Sequence, residues 1–270
     1  MIRELLRPKT IHEALALKEQ HGNQAVYMAN GTRINAAPYR TECKVAISLF
    51  GLELQGISKK PQGWKIGAMT TLQQVVDYKE LPEGLRESAA LVFSRNQRNQ
   101  ATLGGEIAAN HKACQIIPTL LAMGAQVELA EGSLMTVEAW QQAPQGLITR
   151  VIIPESLAFC HTIKVTKSSA GLPIVNASLA VTIKNGKRQV GIALAGVSEK
   201  PIRLHDVEAQ LSLQLKGDQD CENISRESVE QAVVNTVFPI SDVFGSAEYK
   251  RHISGVLVGQ LVEEYKGGCL

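Results

Sequence analysis

Two short glycine segments, Ala29-Asn30-Gly31-Thr32 and Thr102-Leu103-Gly104-Gly105-Glu106, stand about seventy residues apart and constrain this chain more than any other feature. Glycine tolerates positive φ and close approach, so a run containing it can turn several successive N–H groups toward one anion. Asn30 suits the same geometry, because Asn enters the left-handed region more readily than most residues. One such segment alone usually just turns the chain. Two together, the first after the apolar run Ala25-Val26-Tyr27-Met28, predict a diphosphate site held by neutral N–H groups. No G-x-G-x-x-G follows a strand and no G-x-x-x-x-G-K-[ST] occurs, which disfavours a Rossmann unit or a P-loop.

Composition narrows the partner classes. The 270 residues are 44% hydrophobic, enough for one large or two modest domains. A net charge of +2 and 4% aromatic residues argue against nucleic acid and against an anionic membrane surface. Cys43, Cys114, Cys160, Cys221 and Cys269 are scattered and odd in number, giving neither a disulfide framework nor metal-ligand spacing. The expectation is a reduced, cytoplasmic protein with no metal of its own. The N-terminus lacks an apolar signal core, and no run reaches the roughly 18 apolar residues of a membrane span. Neither the histidines nor the carboxylates fall at a spacing that defines a catalytic set, so no catalytic side chain is assigned.

Hydrophobic periodicity divides the chain into three parts: 1–55, 56–158 and 159–270. Thr10-x-x-Glu13 is a capping box for a helix that stops near Gly22, and Lys44 to Leu49 reads as a strand. Ser58 to Gly63 reads as polar turns, Trp64 to Ala68 as extended. Thr70-x-x-Gln73 and Thr71-x-x-Gln74 both offer a cap for the next helix. A helix from Gly84 to Val92, a buried one from Ile116 to Met123 closed by Gly124, and strands at 126–129 and 147–154 complete the second part. Beyond Pro154 three strands precede the helices, with a hairpin turn at Lys184-Asn185-Gly186-Lys187. This order indicates an α+β layer with an antiparallel three-stranded sheet. The last helix, near 246–265, puts Val256, Leu257, Val258, Leu261 and Val262 on one face.

Five segments in order carry a family resemblance: Ala29 to Thr32; Arg98-Asn99-x-x-Thr102-Leu103-Gly104-Gly105; Pro118-x-Leu120-Leu121-Ala122-x-Gly124-Ala125; Leu194-Ala195-Gly196-Val197 with Pro201 and Arg203; and Gly245 to Arg251. Over essentially its whole length the chain resembles the FAD-binding medium subunit of the xanthine dehydrogenase and carbon monoxide dehydrogenase family of molybdenum hydroxylases. The resemblance implies a vanillyl-alcohol-oxidase-type (PCMH-type) FAD-binding domain of two α/β subdomains, followed by the C-terminal α+β domain. FAD would lie with its diphosphate between Tyr27-Met28-Ala29-Asn30-Gly31-Thr32-Arg33-Ile34 and Thr102 to Glu106. It implies partners too: a molybdopterin-binding large subunit and a [2Fe-2S] small subunit in a hetero-oligomer, with NAD+ or another acceptor taking the electrons.

The chain departs from the family pattern at several positions. Glu106 stands where the family often has Asn, so a carboxylate lies near phosphate unless it turns away or meets Arg98 or Lys112. Gln115 replaces a family Asp that bonds the cofactor. Lys164 matches a lysine that approaches the flavin, or is an edge-strand lysine facing water. The segment Lys167 to Pro173 lacks the family's usual charges. Two other readings stay open: a scaffold subunit that holds FAD weakly or not at all, and a stand-alone flavin oxidase, which the short C-terminal part disfavours.

Overall fold

The computed structural model describes residues 2–35, 41–92, 94–168, 171–215 and 224–268. Three sheets organise them. The first is parallel, with strand order β1-β3-β2, built from β1 (Glu4–Leu6), β2 (Ala25–Met28) and β3 (Val45–Ser48) beside helix α1 (Ile11–His21). The Thr10 hydroxyl accepts from the Glu13 N–H at 3.1 Å, as predicted, but the Glu13 carboxylate reaches back to the Lys9 N–H at 2.7 Å, one residue short of a full capping box. Ala14, Ala25, Val45 and Ile47 bury the apolar faces of this layer together.

The second sheet is antiparallel, with order β4-β5-β8-β6-β7: β4 (Ile57–Lys60), β5 (Gly63–Gly67), β6 (Gln126–Leu129), β7 (Leu134–Thr136) and β8 (Ile148–Pro154). Residues 58–63, expected as polar turns, instead form most of edge strand β4 and its hairpin into β5. An exposed edge strand carrying Lys59 and Lys60 shows no apolar alternation to read, and such lysines discourage edge-to-edge pairing. Helices α2 (Leu72–Asp77), α3 (Glu83–Ala90), α4 (Arg95–Arg98), α5 (Leu103–Ala109), α6 (Ile117–Ala122) and α7 (Val137–Gln142) surround it. Thr71, not Thr70, caps α2, with both bonds of the capping box in place; the Thr70 hydroxyl bonds the Gly56 backbone instead.

The third sheet has four strands, not three: β9 (Leu157–Thr166), β10 (Pro173–Lys184), β11 (Lys187–Ala195) and β12 (Ile202–Arg203), in the order β12-β11-β10-β9. The extra strand pairs only two residues with β11, too few for a period-2 pattern. Asn185 (φ 52°) and Gly186 (φ 72°) make the tight turn expected between β10 and β11. Helices α8 (His205–Gln214), α9 (Arg226–Thr236) and α10 (Ala247–Gly268) follow. On α10, Leu257, Val258, Leu261 and Val262 are buried as the periodicity predicts, while Val256 is half-buried.

β10 is buried from Pro173 to Thr182 because it is covered on both faces. Ala180 and Ala193 join the core that holds α6, whereas Leu179, Val181 and Ile192 pack with α8, α9 and α10. The approach of α6 is close: a side chain on Gly191 would place its Cβ 2.0 Å from the Ala122 carbonyl oxygen. Gly191→Val should therefore cost on the order of 3 kcal/mol through overpacking. Denaturant unfolding would read this, and an unchanged midpoint would mean that α6 does not rest on β11.

Candidate functional site: a cleft between the glycine segments

β2 delivers the chain into the first glycine segment, which turns at Gly31 (φ 72°). Asn30 is not left-handed, contrary to expectation. Its side-chain Nδ2 donates to the Gln100 carbonyl at 2.8 Å, and so ties the first segment to the approach of the second. Among the described residues, no acceptor is found for the backbone N–H groups of Asn30, Gly31 and Thr32.

The second segment differs from a loop of free N–H groups. Thr102 is the N-cap of α5, so Gly104 and Gly105 occupy its first turn. The N–H groups of Leu103 and Gly104 donate to the Thr70 and Ala68 carbonyls at 3.0 and 2.8 Å. Those of Gly105 and Glu106 donate to the Thr102 hydroxyl and carbonyl, at 3.1 and 3.0 Å. What the glycines supply is closeness. A Cβ on Gly104 would stand 2.6 Å from the Ala68 Cβ; one on Gly105 would stand 2.8 Å from Thr102 Oγ1 and 4.0 Å from the Ala29 Cβ.

Between the segments lies a cleft of about 140 Å³ lined by residues 26–34, Gln100, Thr102 and the Gly105, Ala108 and Ala109 face of α5. Tyr27, Met28, Ala29, Asn30, Gly31, Thr32, Arg33, Ile34, Thr102 and Gly105 thus line one cleft. Leu103, Gly104 and Glu106 are buried behind the lining. Ala108 and Ala109 were missed, although helical spacing of three and four from Gly105 would have found them. A furrow of about 740 Å³ between α8 and α9 is larger, but it is lined by residues such as Gln210, Gln231 and Asn235 and holds neither glycine segment.

Gln115 and Lys164 do not line this cleft. The Lys164 ammonium donates to the Leu91 carbonyl at 2.7 Å and to Gln115 Oε1 at 3.4 Å, and burial lowers its pKa. It is therefore not a lysine facing water, although β9 is an edge strand. Gln115 is buried, and its carbonyl accepts from Asn176 at 2.8 Å. Within the segment Lys167 to Pro173, Ser169 and Ala170 lie outside the described residues; Lys167 donates to the Val243 carbonyl at 2.8 Å.

The partner of Glu106 is neither Arg98 nor Lys112. Arg98 donates to Gln73 Oε1 and to the Val92 carbonyl, both at 2.9 Å, and Lys112 pairs with Asp242 at 2.9 Å. Glu106 meets Arg33 instead, at 3.4 Å. Beside them, burial together with the Arg33 and Lys112 charges lowers His111 to about 4. Burial, with the Glu106 charge second, pushes Cys114 up to about 12. At neutral pH His111 is an uncharged imidazole and Cys114 a protonated thiol. Cys43, Cys114 and Cys160 are free thiols, Cys221 and Cys269 lie outside the described residues, and no described cluster could hold a metal.

Three N–H groups without a partner among the described residues, a positive-φ glycine, a bare Gly105 and one guanidinium fit the diphosphate of a dinucleotide cofactor. His111 should titrate near 4 by NMR, and higher in Arg33→Gln. Because its folded value lies below the ordinary 6.5, stability from neutral His111 is present above that pH and lost as the pH falls toward 4. A His111 titration near 6.5 would contradict the burial and the nearby charges described.

Residues 2–156 match the family described as "FAD binding domain in molybdopterin dehydrogenase", and residues 164–265 match "CO dehydrogenase flavoprotein C-terminal domain". The uncharacterized Escherichia coli K12 protein YgfM is 41% identical over 262 residues, 97% of this chain and 95% of its own. The carbon monoxide dehydrogenase medium chain of Afipia carboxidovorans is 26% identical over 288 residues, 96% and 95% of the two chains. Cu,Mo-CO dehydrogenase superposes with a TM-score of 0.86 at 23% identity, over 99% and 98% of the chains. Quinoline 2-oxidoreductase from Pseudomonas putida 86 does so with a TM-score of 0.81 at 18% identity, over 100% and 98%. These superpositions show a shared α+β fold with its PCMH-type FAD domain. No helix among the described residues is long and apolar enough to cross a membrane. The chain belongs to the FAD-binding medium subunits of the molybdenum hydroxylases, a family of oxidoreductases whose cofactor in this subunit is FAD.

Proposed function

We propose that this chain relays electrons within a multi-subunit molybdenum hydroxylase, from the [2Fe-2S] clusters of a small subunit to NAD+ or another acceptor, while a molybdopterin-binding large subunit carries the substrate. FAD supplies the exchange between one-electron and two-electron carriers. The protein's own task is to bind and orient it. In this reading residues 1–55 and 56–158 form the cofactor cradle, and 159–270 closes it from the side of β9.

The observation that carries this reading is the convergence of both glycine segments on one cleft, with the N–H groups of Asn30, Gly31 and Thr32 unpartnered among the described residues and Gly105 bare opposite them. Backbone N–H groups hold phosphate without bringing in a field of lysines. Tyr27, Met28, Ala29 and Ile34 shape the walls, Arg33 supplies a forked cation, and Thr102 to Glu106 set how near α5 comes. Gln115 and Lys164 make a separate polar point under Leu91 for the far end of an extended cofactor. The free thiols fit a reduced, cytoplasmic compartment. Kinship with medium chains of carbon monoxide and glyceraldehyde dehydrogenases supports a hetero-oligomer.

The purified chain should carry FAD, identified in its visible spectrum and by release on denaturation, and NADH reduction then tests the acceptor. Gly105→Trp, which fills the cleft and presses on the Thr102 hydroxyl, should lower FAD affinity at least about tenfold, with circular dichroism as the control for the fold. Unchanged flavin content would refute the cleft assignment. A colourless wild-type chain that added FAD cannot restore would favour the scaffold role.

A further inference from the structure

Among the described residues lining the cleft, Arg33 is the sole ionised side chain, and a carboxylate already claims it. Glu106 stands behind the lining with its side chain 4% exposed, and its Oε2 has no hydrogen-bond partner. The contact is one N–H at 3.4 Å. A guanidinium–carboxylate fork uses two N–H groups at about 2.7 to 2.9 Å, so this pair is well short of the best geometry available to either group.

No other described cation relieves Glu106. Lys112 is drawn to Asp242 and Arg98 to Gln73, at 2.9 Å in each case. His111, lowered to about 4, is uncharged at neutral pH, and the Cys114 thiol donates to the Glu106 backbone carbonyl at 3.6 Å, not to its carboxylate. The cleft and its backing are thus electrically balanced before any ligand arrives. A diphosphate entering between the segments brings negative charge toward a buried carboxylate and offers Arg33 a better partner for its fork.

We propose that the Arg33–Glu106 pair is a charge latch that an incoming diphosphate must open. Glu106 competes with phosphate for Arg33, and residue 106 thereby sets how tightly the cofactor is held. Once Arg33 turns to phosphate, the carboxylate stays buried without its cation, a cost carried by the loaded state. The consequence is a flavoprotein subunit that holds FAD less tightly than the same cleft would with a neutral residue 106. This inference rests on the diphosphate occupying the cleft, as proposed above.

The test is titration of the cofactor-free chain with FAD, followed by flavin fluorescence, and with ADP, followed by calorimetry. Glu106→Gln keeps the size of the side chain and removes its charge. It should bind both ligands about tenfold more tightly. Glu106→Asn should shift both in the same direction and serves if the Gln variant does not fold, with the thermal midpoint of each ligand-free variant as the control. A residue needed only for packing would leave affinity unchanged or reduce it, and that result overturns the latch. Gly105→Trp separates the two claims. If it binds FAD like the parent, the cleft assignment fails. If it abolishes binding while Glu106→Gln changes nothing, the cleft stands and the latch alone is wrong.

Discussion

The seating of α5 against the end of β5 is the contact on which the site depends. Ala68 and Thr70 present carbonyls to the N–H groups of Gly104 and Leu103, and the Leu72 N–H returns a bond to the Ala101 carbonyl at 2.9 Å. These bonds fix the start of α5 to the strand that precedes α2. They close at this distance only because Gly104 has no side chain to strike Ala68. With α5 held there, Gly105 faces Ala29, Asn30 reaches Gln100, and a cleft exists between segments that the chain keeps about seventy residues apart.

The two segments then contribute different things. Among the described residues, the first keeps its N–H groups unpartnered around Gly31 and can offer them to an anion. The second has used its own on the Thr70 and Ala68 carbonyls and on the Thr102 cap, and contributes absence of bulk. Buried N–H groups must find partners, so a segment cannot both cap a helix fully and present a row of donors. The division of labour follows from that constraint. It leaves Arg33 with more electrostatic work than the sequence suggested, and it makes the fate of its partner Glu106 matter.

The junction with the third sheet is polar inside as well as apolar. The hydroxyls of Thr119 and Ser178 lie 3.0 Å apart, Ser178 and Thr162 lie 2.8 Å apart, and Asn176 donates to the Gln115 carbonyl at 2.8 Å. Such a connected buried network costs little when every member is satisfied and fixes one register between α6 and β9–β10. It also places Lys164 beside Gln115 and under Leu91, a neighbourhood that no local pattern in β9 reveals.

The sequence by itself determined the local elements and the family. The helix cap at Thr10, the paired cap candidates Thr70 and Thr71, the Asn185-Gly186 turn, the apolar face of α10 and the glycine segments are all set by residues within a few positions of one another, where propensity and hydrogen-bonding capacity act directly. Edge strands β4 and β12 escaped because their residues bury too little to show a period. Tertiary structure alone decided which donors remained free, that Arg33 and not Arg98 or Lys112 meets Glu106, and that Lys164 turns inward to Gln115. Those outcomes depend on distances between residues far apart in the chain, and a charge chooses its partner by proximity and burial, neither of which sequence spacing encodes.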